Sequence, residues 1–219
     1  MAYASTRDAV LGDWVLIAYD YMLHVGEYSR KGSWNESKQT VEFRMMDVTF
    51  FELDTKKRLR QMPRDASDEQ ILRAAGATLR LLNQKNGWKN VCIFHHANGD
   101  DITYPTRALG RRYSHIRQHT TDTSISMSTY FVEGCKRHLK DTDVSAGVKM
   151  AAAERDYPFQ SIPIDRVDTH SLRTGGANSL SLNGYSDTEI QKWAAGAATY
   201  LKNALLKAYC SPVLAYLEP

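Results

Sequence analysis

Asp168-Thr169-His170-Ser171-Leu172-Arg173-Thr174-Gly175-Gly176-Ala177-Asn178-Ser179-Leu180-Ser181-Leu182-Asn183-Gly184-Tyr185-Ser186-Asp187-Thr188-Glu189-Ile190-Gln191-Lys192 reads as a helix, a stop and the start of a second helix. Asp168 or Thr169 supplies a side-chain oxygen for the exposed N–H groups of the first turn. His170 and Arg173 stand three residues apart, so both project from one helix face. Gly184 follows the last apolar residue, where a left-handed stop is expected. Ser186-Asp187-Thr188-Glu189 has the spacing of a capping box. A guanidinium offers a charged fork, an imidazole can carry a proton, and a helix N-terminus favours anions, so the first turn reads as a phosphate site.

The composition permits this reading without demanding it. The 219 residues are 42% apolar and 24% charged, as in an ordinary globular domain, and the formal net charge is +3. Positive charge is concentrated in two runs, Lys56 to Arg64 and Arg107 to His119. Cys92, Cys135 and Cys210 are far apart and unpaired by spacing, which predicts reduced thiols and an intracellular setting, nucleus or cytoplasm. No apolar run is long enough to span a bilayer, no signal-peptide layout opens the chain, and no membrane partner is expected.

Outward from the opening stretch, the apolar spacing of Val10, Trp14, Ile17, Ala18, Tyr21 and Val25 predicts a helix over about 6–23, entering a turn at Gly26. Residues 40–53 are rich in β-formers and predict a strand. Residues 56–68 read as a polar surface loop that could track a nucleic-acid backbone. Residues 78–82 and 91–94 flank Asn86-Gly87, a strong hairpin turn signal. His95 and His96 are adjacent on a strand and point to opposite faces, which argues against joint metal ligation with Asp100 and Asp101. Residues 105–116 predict a helix with Ala108, Leu109, Tyr113 and Ile116 inside and Arg107, Arg111, Arg112 and Arg117 outside. Residues 120–128 read as a polar loop. Residues 141–157 predict a helix capped near Asp141 or Thr142, and residues 157–163 an extended linker.

The His170-Ser171-Leu172-Arg173 turn, the Gly175-Gly176 pair and the Gly184-Tyr185-Ser186-Asp187 turn into Ile190-Gln191-Lys192 resemble the catalytic domain of tyrosine recombinases of the phage-integrase type, in the eukaryotic Crypton-like branch. The resemblance is specific here, is traceable back to about Ala9, and stops after Trp193. It implies an α+β, mainly α, integrase catalytic core over residues 1–193 with a small antiparallel sheet, and no amino-terminal core-binding domain. It implies double-stranded DNA as partner, a homo-oligomer on that DNA, and strand exchange through a phosphotyrosine with no cofactor and no metal.

The resemblance also implies catalytic roles residue by residue. Lys85 matches the hairpin-tip lysine that protonates the leaving oxygen, and His170 and Arg173 match the histidine and second arginine that grip the scissile phosphate. His24, in Leu23-His24-Val25-Gly26-Glu27, stands where the family has its first arginine. An imidazole lacks the bidentate fork, so impaired cleavage is expected. Beyond Trp193 the family continues Gly-Arg-Trp and then its nucleophilic tyrosine. Here the chain reads Ala194-Ala195-Gly196, and the nucleophile position falls near Ala204 or Leu205, with Tyr200 and Tyr209 about a helical turn to either side. Codons for Gly-Arg-Trp read one base later yield Ala-Ala-Gly, so residues 194–219 are expected to be out-of-frame translation. A non-catalytic DNA-binding remnant of a mobile element is the alternative function.

Overall fold

Val10, Trp14, Ile17 and Ala18 fall on one side of a 3.6-residue helix, and all four are buried. The computed structural model describes residues 6–29, 42–82, 90–97, 104–155 and 163–194, with side chains through Gln191. The helix, α1 (Thr6–Asp20), is the hub on which the other elements pack. Trp14 and Ile17 are fully buried, and the Trp14 indole N–H donates to the Met127 carbonyl at 3.3 Å. The chain leaves α1 through Met22, in the left-handed region at φ 49°, and enters the single turn α2 (Val25–Tyr28). The predicted helix was thus a few residues too long. Its apolar spacing continues through Tyr21, but the left-handed residue ends the winding before Gly26.

Residues 42–61 begin with a 3-10 turn, Met45–Asp47, and continue into β1 (Val48–Leu53) and β2 (Leu59–Gln61). The expected polar loop therefore contains a strand. Asp54 closes the connection by accepting the Lys56 and Arg58 amide N–H groups at 2.8 and 2.9 Å and pairing with the Arg58 guanidinium. A short helix, α3 (Asp68–Leu72), follows behind a reciprocal Ser67–Gln70 cap. β3 (Gly76–Leu81) and β4 (Val91–His96) form the expected antiparallel hairpin, Leu81 opposite Val91 and Arg80 opposite Cys92. The antiparallel sheet runs β2-β1-β3-β4. Ala77, Leu79, Leu81, Ile93 and His95 face the core, so alternation along both strands sets which residues remain on the outer face.

Helix α4 (Pro105–Arg117) starts with proline at its first position, where no N–H is needed. Ala108, Leu109, Tyr113 and Ile116 are buried as the spacing predicts. Three of the four arginines expected on the outside, all but Arg107, correct that reading. Arg112 is only 2% exposed and donates to the Thr129 carbonyl, Arg111 pairs with the buried Asp13 at 2.6 Å, and Arg117 pairs with Asp68. Burial pulls the Arg112 guanidinium down to about 10 and pushes the Asp13 carboxyl up, with Arg111 opposing the latter. These cations bolt α4 to its neighbours and do not form a phosphate-binding face.

A second hairpin, β5 (Thr129–Val132) and β6 (Cys135–His138), turns through Glu133 and Gly134, both at positive φ. The sequence reading missed it because glutamate is a poor left-handed residue, and Gly134 was the one turn signal present. Helix α5 (Asp141–Glu154) is capped one residue earlier than expected. The Lys140 amide N–H donates to the Asp143 carboxylate at 3.0 Å. Helix α6 (Thr169–Leu182) begins at Asp168, ends before Gly184 at φ 84°, and is followed by α7 (Asp187–Ala194) behind a reciprocal Ser186–Glu189 cap. The mixed α/β architecture with a small antiparallel sheet agrees with the sequence reading at that level.

Candidate functional site

Residues 21–24 form the joint between the sheet and α6. The Tyr21 hydroxyl donates to the Ala77 carbonyl on β3 at 3.1 Å, and its ring lies 4.1 Å from that of His95 on β4. One residue on, the Met22 carbonyl accepts from the Arg173 guanidinium at 2.9 Å. A Cβ on Gly176 would come within 3.0 Å of the Tyr19 carbonyl, closer than side chains tolerate. Only glycine allows α6 this near to α1, and that approach is what lets Arg173 reach Met22.

His24 follows at an exposed position, its amide N–H donating to the Glu27 carboxylate at 2.8 Å. Glu27 is 2% exposed. Burial pulls the Arg173 guanidinium below its ordinary range, and the Glu27 carboxylate pushes it back up. The result is a half-buried guanidinium anchored from the protein side by a carbonyl and balanced by a buried carboxylate. His170 is exposed on the first turn of the same helix. His24 and the His170–Arg173 turn, far apart in sequence, thus sit on adjoining elements.

One expectation changes at this site. The N-terminus of α6 is not an open anion site, because the Asp168 carboxylate itself accepts from the amides of His170 and Ser171, at 2.8 and 3.3 Å. A phosphate here would meet the arginine and histidine side chains, with the His170 and Ser171 N–H groups already engaged. Lys85 lies outside the described residues. So do Tyr200, Tyr209 and everything after Ala194. The described part of the hairpin ends at Leu82 and resumes at Asn90.

Tyr28 is the tyrosine that adjoins Glu27, and the sequence reading passed over it. It is fully buried and stacked on Trp14 with ring centroids 5.4 Å apart. Burial, reinforced by Glu27, pushes its hydroxyl well above the ordinary range. A sealed, protonated phenol cannot attack phosphorus. His95 is buried and His96 lies on the other face against the Phe94 ring at 4.6 Å. Among the described residues no three His, Cys, Asp or Glu side chains converge as a metal site would require. No helix among them is long and apolar enough to cross a membrane.

No family model, curated protein or solved structure matches this chain.

Proposed function

We propose that the chain is a DNA-binding, DNA breaking-and-rejoining domain of the tyrosine-recombinase type with an integrase-like core, degenerate and impaired in cleavage. The observation that carries the reading is the hydrogen bond from Arg173 to the Met22 carbonyl. It joins the two segments that the resemblance names as phosphate-gripping, 151 residues apart in the chain. The β3–β4 pairing supports it further, because Lys85 falls in the segment of sequence between the two strands.

In the proposed chemistry a tyrosine hydroxyl gives its proton to solvent, and its oxygen bonds to phosphorus in line with the departing sugar oxygen. The phosphorus–oxygen bond to that sugar breaks, and the leaving oxygen takes a proton from Lys85. Arg173 and His170 hold the non-bridging oxygens as negative charge builds on them. His24 contributes at most a single donor where a guanidinium would contribute a fork, which lowers transition-state stabilisation rather than abolishing binding. The alternative, a non-catalytic DNA-binding remnant of a mobile element, is favoured by the absence of a matching nucleophile in the sequence.

A nicked suicide duplex tests the reading. The expected result is a salt-sensitive mobility shift that Arg173→Gln weakens, with a covalent adduct absent or slight. An abundant trapped adduct would establish the full enzyme, and a shift with no adduct the remnant. Indifference of duplex binding to both Arg173→Gln and His170→Ala would overturn the proposal.

A further inference from the structure

Asp47, at the end of the 3-10 turn before β1, has a fully buried side chain and two arginines on it. Arg44 donates through Nε at 3.0 Å and Nη2 at 3.4 Å, and Arg80 through Nε at 3.3 Å and Nη2 at 2.8 Å. The Arg44 backbone N–H also donates to the carboxylate, at 3.1 Å. Burial pulls the Asp47 carboxyl up, but these hydrogen bonds outweigh it and hold it below the usual carboxylate range.

The pairing is lopsided in charge and in geometry. Two guanidinium charges meet one carboxylate, leaving one positive charge in excess. Each guanidinium spends its Nε–Nη2 edge on Asp47, and each keeps its Nη1 group for a second partner. Among the described residues nothing takes those donors. The side chains of Arg44 and Arg80 are 31% and 41% exposed. Arg80 lies on the outer face of the sheet, because its neighbours Leu79 and Leu81 point into the core. Simple closure of a buried ion pair would need one arginine, not two whose side chains both stay partly exposed.

We propose that Arg44 and Arg80, held in place by Asp47, form a phosphate clamp, and that it takes a backbone phosphate of nucleic acid. Two fixed forks suit the oxygens of a phosphodiester, and the carboxylate behind them removes the rotamer freedom that free arginines would lose on binding. Arg80 is on β3, five residues before Lys85 in the sequence. The clamp therefore rests on the DNA-binding reading and deepens it, adding a backbone contact beside the hairpin and apart from Arg173. It positions DNA and takes no part in bond breaking.

The full chain is titrated against a 20-base-pair duplex over a range of salt, as wild type, Arg80→Gln, Arg44→Gln and Arg80→Lys. Thermal melts accompany each variant, with inorganic phosphate or chloride at equal ionic strength. Loss of one backbone contact lowers the slope of log K against log salt by about one unit. Either glutamine variant should show that drop and lose any phosphate-specific rise in melting temperature. Arg80→Lys, which keeps the charge and pairing to Asp47, should stay folded and bind with intermediate affinity. An unchanged slope in folded Arg80→Gln or Arg44→Gln, or wild-type affinity in folded Arg80→Lys, overturns the clamp. A phosphate-specific melting rise lost in the variants, with duplex binding unaltered, overturns the nucleic-acid assignment in favour of free phosphate. A slope drop at Arg80 with no adduct and no effect of Arg173→Gln leaves the clamp standing and removes the recombinase reading.

Discussion

Replacing Gly176 by alanine should destabilise the protein and displace Arg173, whereas the same change at Gly175 should do neither. Alanine favours a helix over glycine by about 1 kcal/mol, so propensity alone predicts that both substitutions stabilise α6. Packing reverses the sign at one position. At Gly176 the new methyl falls within 3.0 Å of the Tyr19 backbone carbonyl and 3.0 Å from Met22 Cγ, where ordinary contact begins at 3.4 Å. Backbone cannot swing aside, so α6 must back away from α1. Overpacking of this kind costs about 1–3 kcal/mol, and the helix gain offsets part of it, leaving a net loss of up to about 2 kcal/mol. At Gly175 the obstacle is the Tyr19 ring at 2.8 Å, and that residue is 36% exposed and able to rotate outward. Urea unfolding followed by circular dichroism reads both values, and duplex binding reads the consequence for Arg173. A misplacement of a fraction of an ångström should lengthen the Arg173–Met22 bond and weaken duplex binding in Gly176→Ala alone. Equal stability of the two variants, or a larger loss at Gly175, would refute the claim that this glycine sets the α1–α6 distance.

Three further outcomes are expected. Asp168→Ala removes two hydrogen bonds at the start of α6 and should cost about 1 kcal/mol in urea unfolding. Tyr21→Phe breaks the hydroxyl bond to Ala77 and should cost about 1 kcal/mol, with the hairpin amides of β3 losing protection in hydrogen exchange first. Burial holds His95 down at about 3 and His115 at about 4, both below the unfolded value of 6.5. The unfolded chain therefore takes up protons first as pH falls, and the stability these neutral rings contribute above 6.5 drains away down to about 4 for His115 and about 3 for His95. His115 accepts the Phe131 amide N–H through Nε2, and His115→Gln should flatten that pH dependence in urea melts between pH 7 and pH 5.

Local signals were read correctly where the physics is local. The Asp168 cap, the left-handed Gly184, the Ser186–Glu189 box and the β3–β4 pairing each depend on a few neighbouring residues, and each is present. The arginine-rich face of α4 was misread because burial of a cation depends on partners such as Asp13, Thr129 and Asp68, which no helical periodicity can name. The Arg44–Asp47–Arg80 group was missed for the same reason. Arg44 and Asp47 are local, but Arg80 is far along the chain and joins them only when β3 pairs with β1.

By itself the sequence determined α1, α4, α5, α6 and the β3–β4 pair, because capping, periodicity and turn chemistry act over a few residues, but it overran the end of α1 and missed β2, α3 and the β5–β6 hairpin. It also marked His24, His170 and Arg173 as residues of interest. The tertiary structure alone decided that the Met22 turn meets α6, that Glu27 lies buried beside Arg173, and which arginines are spent as internal ties. Those outcomes follow from close packing and desolvation, which are properties of surfaces brought together from distant parts of the chain.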